Sequence, residues 1–232
     1  MFSAAIRLRI LNPHALKTST LKQPFTTTLS LAAMDKKPET SILNWADKTG
    51  EFKRQQSVFR SFIENSPNAE FPPEKGRYHL YVSYACPWAH RALIVRELKG
   101  LKDIISYNSV HWHMGEKGWR FATPDEQVPG ETTPDPLHES YTHLRDIYFE
   151  QNPEYEGRFT VPTLYDKKTS KIVSNESSEI IRMLYYAFDD VVEEKYRGVD
   201  LFPEKLRNEI EGMNEWVYND VNNGVYKSGF AT

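Results

Sequence analysis

The sequence predicts an α/β sandwich, on three observations. Short runs of β-branched and aromatic residues alternate with stretches of helical periodicity, in the order β-α-β-α-β-β-α between residues 78 and 188. The first helix opens on a Cys-Pro step, Cys86-Pro87, immediately after a strand. Beyond residue 189 strand signals stop, and one further amphipathic stripe follows. At 232 residues the chain is long enough to bury a real core.

Each element has its own signal. Residues 79–83 (HLYVS) are a short strand, with the domain starting at Tyr78. Residues 87–98 are a helix, started by Pro87 and stopped by Gly100 just past its end. Residues 104–110 read as a second strand. Residues 115–136 form a long loop containing Gly and Pro, of a length usually reserved for functional or mobile segments. Residues 137–150 are predicted to be helical, from Leu137, Tyr141, Leu144, Ile147 and Tyr148 at three- and four-residue spacings. Residues 161–165 and 171–173 form a two-stranded hairpin, and residues 176–188 a third helix. This order over some 110 residues describes a thioredoxin-like domain. A polar linker, residues 189–200, leads to a helix over residues 204–220, whose Leu206, Ile210, Met213, Val217 and Val221 lie on one stripe and are read as core by default.

Composition excludes several classes. Hydrophobic residues make up 39% of the chain, and 12 Phe, 5 Trp and 13 Tyr argue against disorder. No run approaches the roughly 18 apolar residues of a membrane span. A disulfide scaffold is excluded, because Cys86 is the single cysteine. The net charge is −3, unevenly spread. Residues 1–34 hold Arg7, Arg9, Lys17 and Lys22 and no acidic residue, which leaves 25 basic against 32 acidic residues in the remainder. A mildly acidic body gives no reason to expect nucleic-acid or anionic-membrane binding. The acid-free first 34 residues, rich in Ser and Thr, suit a mitochondrial presequence. The alternatives are a disordered tail, or an extension bypassed by starting at Met34. The expected organisation is a leader over 1–34, an arm over 35–76, a thioredoxin-like domain over 77–189, and a linker with a first helix over 190–232. The expected location is mitochondrial or cytoplasmic.

Cys86 is the first candidate for chemistry. With Pro87 at the first helical position, Cys86 falls at the N-cap, where unpaired N–H groups and the positive end of the helix favour a thiolate. Such placements lower a thiol pKa from about 8.5 into the range of roughly 3.5–7.5. A buried inert thiol is the bland alternative. A dithiol enzyme would carry a second Cys where Ala89 stands, so a mixed disulfide on Cys86 must be resolved by another molecule. Glutathione is the abundant cellular candidate. A glutathione site needs an anion-binding helix end, a backbone edge and donors for carboxylates. Val161-Pro162 at a strand start suits the edge, and a cis bond there would expose the backbone groups of Val161. The segment Ser174-Asn175-Glu176-Ser177 opens a helix that can hold a carboxylate while Glu176 takes a cation. Ordinary N-capping accounts for that segment equally well.

The blocks Tyr78–Arg91 (YHLYVSYACPWAHR), Gly118-Trp119, Gly157–Pro162 (GRFTVP), Ile172–Ser177 (IVSNES) and Val221–Phe230 (VNNGVYKSGF) resemble the glutathionyl-hydroquinone reductases, the xi class of the glutathione transferases. The resemblance runs from about residue 42 to the last. It implies that a thioredoxin-like domain is followed by the start of an all-α C-terminal domain. It implies that Cys86 attacks the sulfur of a glutathionyl-hydroquinone and that a second glutathione resolves the resulting disulfide. It implies glutathione contacts from Trp119, Arg158, Phe159, Thr160, Val161, Glu176 and Ser177, and a proton-transfer role for Tyr226. Glutathione is then a cosubstrate, with no tightly bound cofactor and no metal. The partners are glutathione and an aromatic glutathionyl-hydroquinone, the full-length family forming homodimers. The family's helical domain is longer than the residues present here, so the sequence is expected to be C-terminally truncated. An omega-like thiol transferase or dehydroascorbate reductase is the alternative activity, and a catalytically impaired glutathione-binding regulator the alternative class.

Three weaker features complete the reading. His111 and His113 flank Trp112 without a carboxylate or thiol at ligand spacing, so a metal site is not expected. Tyr84, Trp88, Trp112, Trp119 and Phe121 either line a pocket for flat rings or pack in the core. Asn175-Glu176-Ser177 matches a glycosylation sequon by chance.

Overall fold

The computed structural model describes residues 55–230. The expected leader, residues 1–34, and the first part of the expected arm, residues 35–54, lie outside the described residues.

A four-stranded mixed sheet in the order β2-β1-β5-β6 carries the fold. β1 (Tyr78–Val82) pairs in parallel with β2 (Ser106–Ser109) and antiparallel with β5 (Thr163–Asp166), which pairs antiparallel with β6 (Lys171–Ser174). Every residue of β1 is buried, because both faces of the sheet are covered. On one face the Tyr78 ring meets Phe188 edge-on, and on the other Tyr81 meets Phe121 and Tyr165. The parallel β1–β2 pair is joined by α1 (Pro87–Leu98), which packs against α3 (Ser177–Tyr186). α2 (Leu144–Gln151) lies against β6.

The predicted elements recur with shifted limits. α1 has its expected ends: Pro87 starts it, and Gly100 follows at φ +68°. The segment predicted helical over 137–150 is helical only from Leu144. Asp135 accepts a bond from the Leu137 N–H, and Asp146 accepts from the N–H groups of Thr142 and His143, so carboxylates hold residues 135–143 in turns. The long loop contains a two-residue hairpin that was not expected, β3 (Met114–Gly115) with β4 (Gly118–Trp119). The described part of the arm is also more than a lead-in. Ser61 N–H donates to Val173 O at 2.9 Å and Asn175 N–H to Phe59 O at 3.0 Å, so the arm lies along β6.

The linker is fastened to the end of α1. Lys99 is fully buried, its Nζ 3.0 Å from Val199 O and 2.6 Å from Asp189 Oδ1. Beyond it, α4 (Arg207–Trp216) runs through a π-helical segment (Val217–Asn222) into α5 (Asn223–Phe230). The apolar stripe read as core is a correction. Leu206, Met213 and Val221 are exposed, and only Ile210 of the five packs against the core. None of the described helices is long and apolar enough to cross a membrane.

Candidate thiol site

Cys86 stands where β1 hands over to α1. Its extended backbone (φ −103°, ψ 113°) makes it the N-cap, and His90 N–H donates to its carbonyl at 3.0 Å. The half-buried side chain makes no capping bond, and its Sγ lies 3.4 Å from Val161 O. The Val161–Pro162 bond is cis. Ala89, at the place of a second thiol, is fully buried in α1. The sulfur therefore sits at the positive end of a helix with no intramolecular resolving group.

The thiol opens into a cleft of about 420 Å³. The nine residues that the sequence reading gave a catalytic or glutathione-binding role all line it: Cys86, Trp119, Arg158, Phe159, Thr160, Val161, Glu176, Ser177 and Tyr226. They come from the β1–α1 junction, β4, the loop before β5, the start of α3, and α5. Two of them also have structural duties. Phe159 packs edge-on against Tyr148 and Phe149. Thr160 O accepts from the hydroxyls of Tyr148 at 2.9 Å and Thr163 at 2.7 Å, which shapes the turn into β5. Burial pushes the Tyr148 pKa up, so its hydroxyl keeps its proton.

Glu176, which also lines the cleft, is the N-cap of α3. Its Oε1 accepts from Ser178 N at 3.1 Å and Ser178 Oγ at 2.9 Å, and lies 3.9 Å from Arg91 Nη2. Burial pushes its pKa up, but the bonds from Ser178 and Ser57 and the charge of Arg91 outweigh this and hold the carboxyl below its usual range. Glu176 is thus an anion ready for a cation, beside helix-start N–H groups suited to a carboxylate. Arg91 also donates to the buried Ser177 Oγ, from Nη2 at 2.6 Å and Nε at 3.1 Å, and lies 4.9 Å from the centre of the Trp88 ring. Trp88 Nε1–H donates to Tyr226 Oη at 3.0 Å. One chain of contacts, through Arg91 and Trp88, therefore links the Glu176 carboxylate to the Tyr226 hydroxyl.

The aromatic set divides. Trp88 and Trp119 line the thiol cleft, whereas Tyr84 and Trp112 line another cavity of about 340 Å³, and Phe121 is buried in the core. His111 stacks on Trp112 and accepts from the His113 N–H at 3.2 Å. No cluster of metal-ligating side chains occurs among the described residues.

Sequence reasoning missed the cleft wall made by Gln55, Gln56 and Ser57 of the arm, and also Met114 and Tyr155, and it named Asn175 within the α3 start without giving its side chain a role. Asn175 is buried, its Nδ2 donating to Tyr148 Oη at 3.2 Å and to Thr160 Oγ1 at 3.3 Å. For Asn175 the signal existed, in a polar residue between a strand and a helix start. For Gln55 and Ser57 there was none, since their partners lie more than a hundred residues away.

Residues 85–186 match the family described as Glutathione S-transferase, N-terminal domain. The chain is 54% identical over 195 residues to Glutathione S-transferase omega-like 2 of Schizosaccharomyces pombe, covering 83% of this chain and 60% of that one. It is 48% identical over 189 residues to Glutathionyl-hydroquinone reductase YqjG of Escherichia coli, covering 79% of this chain and 55% of that one. Its fold is similar to the crystal structure of the Xi glutathione transferase ECM4 of Saccharomyces cerevisiae in complex with glutathione. The TM-score is 0.71 at 44% identity, over 76% of this chain and 58% of that chain. The chain thus spans about three fifths or less of the length of these relatives.

Proposed function

We propose that the protein, whose residues 85–186 match the family described as Glutathione S-transferase, N-terminal domain, reduces glutathionyl-hydroquinones, with Cys86 as nucleophile and glutathione as cosubstrate. The observation that carries this reading is a thiol at a helix start, in a cleft that is also lined by the Glu176 carboxylate. Similarity to a protein named for the same activity supports it.

In the first step the Cys86 thiolate attacks the sulfur of the glutathionyl-hydroquinone. A Cys86–glutathione disulfide forms, the bond between that sulfur and the ring carbon breaks, and the carbon takes a proton as the hydroquinone leaves. Tyr226 is the proton donor in this scheme. Its oxygen accepts the Trp88 N–H at 3.0 Å, which orients the phenol in the cleft that holds Cys86. In the second step a glutathione thiolate attacks the glutathionyl sulfur of the mixed disulfide, releasing oxidised glutathione and the Cys86 thiolate. The two electrons that replace the carbon–sulfur bond by carbon–hydrogen are balanced by the new disulfide. Glu176 receives the γ-glutamyl ammonium, Ser177 and the start of α3 receive its carboxylate, and Val161 offers backbone edge groups to the cysteinyl residue.

Incubation with the glutathione adduct of menadione and free glutathione should release the hydroquinone and oxidised glutathione. Cys86→Ala should abolish both, and retained turnover in that variant would exclude the mechanism. Similarity to a protein named omega-like supports a second reading, an omega-like thiol transferase or dehydroascorbate reductase. Faster turnover of dehydroascorbate or a protein–glutathione disulfide than of the menadione adduct would favour it.

A further inference from the structure

The arm reaches the thiol cleft from well upstream of the matched residues 85–186, and it touches the residue that would read the ligand's amino group. Its path is set by paired bonds. Phe59 N–H donates to Asn175 Oδ1 at 3.2 Å, Arg60 Nε donates to Glu179 Oε2 at 2.8 Å, and the Phe59 ring meets Tyr148 edge-on. Ser57 is fixed by this anchorage, its Oγ 3.0 Å from Glu176 Oε2 and 3.2 Å from Asn175 O. The other oxygen of Glu176 is held by Ser178. With one oxygen held from α3 and the other from the arm, the plane of the carboxylate is set before any ligand arrives. Without Ser57, Oε2 would have to be oriented by the ligand, at the cost of ordering a side chain on binding.

We propose that Ser57 is a positioning residue: it holds the Glu176 carboxylate in the orientation that receives the α-ammonium of a γ-glutamyl ligand, so the arm helps to set selectivity for ligands bearing that group. The inference rests on the glutathione reading above and adds to it a determinant outside the thioredoxin-like domain. It concerns one end of the ligand only. The cysteinyl and glycyl ends meet other residues, so a ligand lacking the amino group should be indifferent to Ser57.

The test uses the full chain and two probes, glutathione and its analogue without the γ-glutamyl amino group, titrated by the fluorescence of the cleft tryptophans Trp88 and Trp119. Ser57→Ala should weaken glutathione binding about fivefold to tenfold, the scale of the net contribution of one ordinary hydrogen bond. It should weaken the deaminated analogue less than about twofold, while Ser57→Thr, which keeps the hydroxyl, recovers most of the loss. In turnover the loss should fall on KM for glutathione rather than on kcat. Equal weakening of both ligands would mean that Ser57 merely supports the fold, and no weakening of either would mean that Glu176 needs no such support. Both results overturn the inference and leave the glutathione reading standing. A wild-type chain that binds neither ligand would overturn both.

Discussion

Replacing Arg77 by Ala should remove a large share of the protein's stability while sparing the thiol cleft. Arg77 Nε and Nη2 donate to Asp166 Oδ1 and Oδ2 at 2.9 and 2.6 Å, with 8% of the Arg77 side chain and none of the Asp166 side chain exposed. The substitution would leave a buried carboxylate with two remaining donors, Lys168 N–H at 3.0 Å and Thr169 Oγ1–H at 2.7 Å. Breaking a buried pair in this way costs about 3–5 kcal/mol. That is a large part of the roughly 5–15 kcal/mol available to a domain, and lowers Tm by about 6–20 °C for a chain of this size. Burial pushes the Asp166 pKa up, but the Arg77 bonds and the two smaller donors hold it below the usual carboxylate range. Its contribution is therefore present above about pH 4 and lost as pH falls through the lower folded value. Without Arg77 burial is no longer offset, and the loss begins at higher pH. Urea unfolding followed by tryptophan fluorescence at several pH values measures both effects. The pair closes the β1–β5 ladder where Tyr78 faces Asp166, at the other end from the junction that carries Cys86, so activity per folded molecule in the cold should persist. A loss below about 1 kcal/mol at neutral pH, or one that does not change with pH, would refute the reasoning.

Other consequences follow from single contacts. Gly100 has φ +68°, and an added Cβ would lie 2.1 Å from the Tyr196 ring, so Gly100→Ala should cost at least about 2 kcal/mol in urea unfolding, partly recovered by Tyr196→Ala. His79 is buried, and desolvation lowers its pKa to about 4. Stability should fall by about 3 kcal/mol between pH 6.5 and 4, because the unfolded chain takes up a proton there that the folded chain refuses, and His79→Gln should flatten that slope. Trp88→Phe keeps a ring in the cleft but removes the N–H that holds Tyr226, so kcat with the menadione adduct should fall about threefold to tenfold, and an unchanged kcat would argue against Tyr226 as proton donor.

The parts of this structure legible in the sequence are those decided by neighbours along the chain. The limits of α1 follow from a proline that suits the first turn and a glycine at positive φ that ends it, both local effects. The thiol could be read for the same reason, since a helix start and a missing second cysteine are visible in one short motif. The start of α2 was misplaced because Leu137 and Tyr141 pack against the core from turns, so their spacing imitated a helix that Asp135 and Asp146 prevent. The hairpin of Met114–Gly115 with Gly118–Trp119 is too short to leave a periodic signal. Ser57 and Gln55 are ordinary polar residues in a polar stretch, and only the folded chain brings them to Glu176 and Arg158. The stripe on α4 shows a converse limit: apolar periodicity predicts a face suited to burial, not what lies over it.

The central claim is that the Cys86 sulfur takes the glutathionyl group from the substrate. Intact-mass spectrometry of the protein after one turnover with a glutathionyl-hydroquinone, in the absence of free glutathione, tests it directly. The account predicts one glutathionyl group per chain, mapped to Cys86 and removed on adding glutathione, with one hydroquinone released for each chain modified. Hydroquinone release without any mass gain, or the same release from Cys86→Ala, would contradict it.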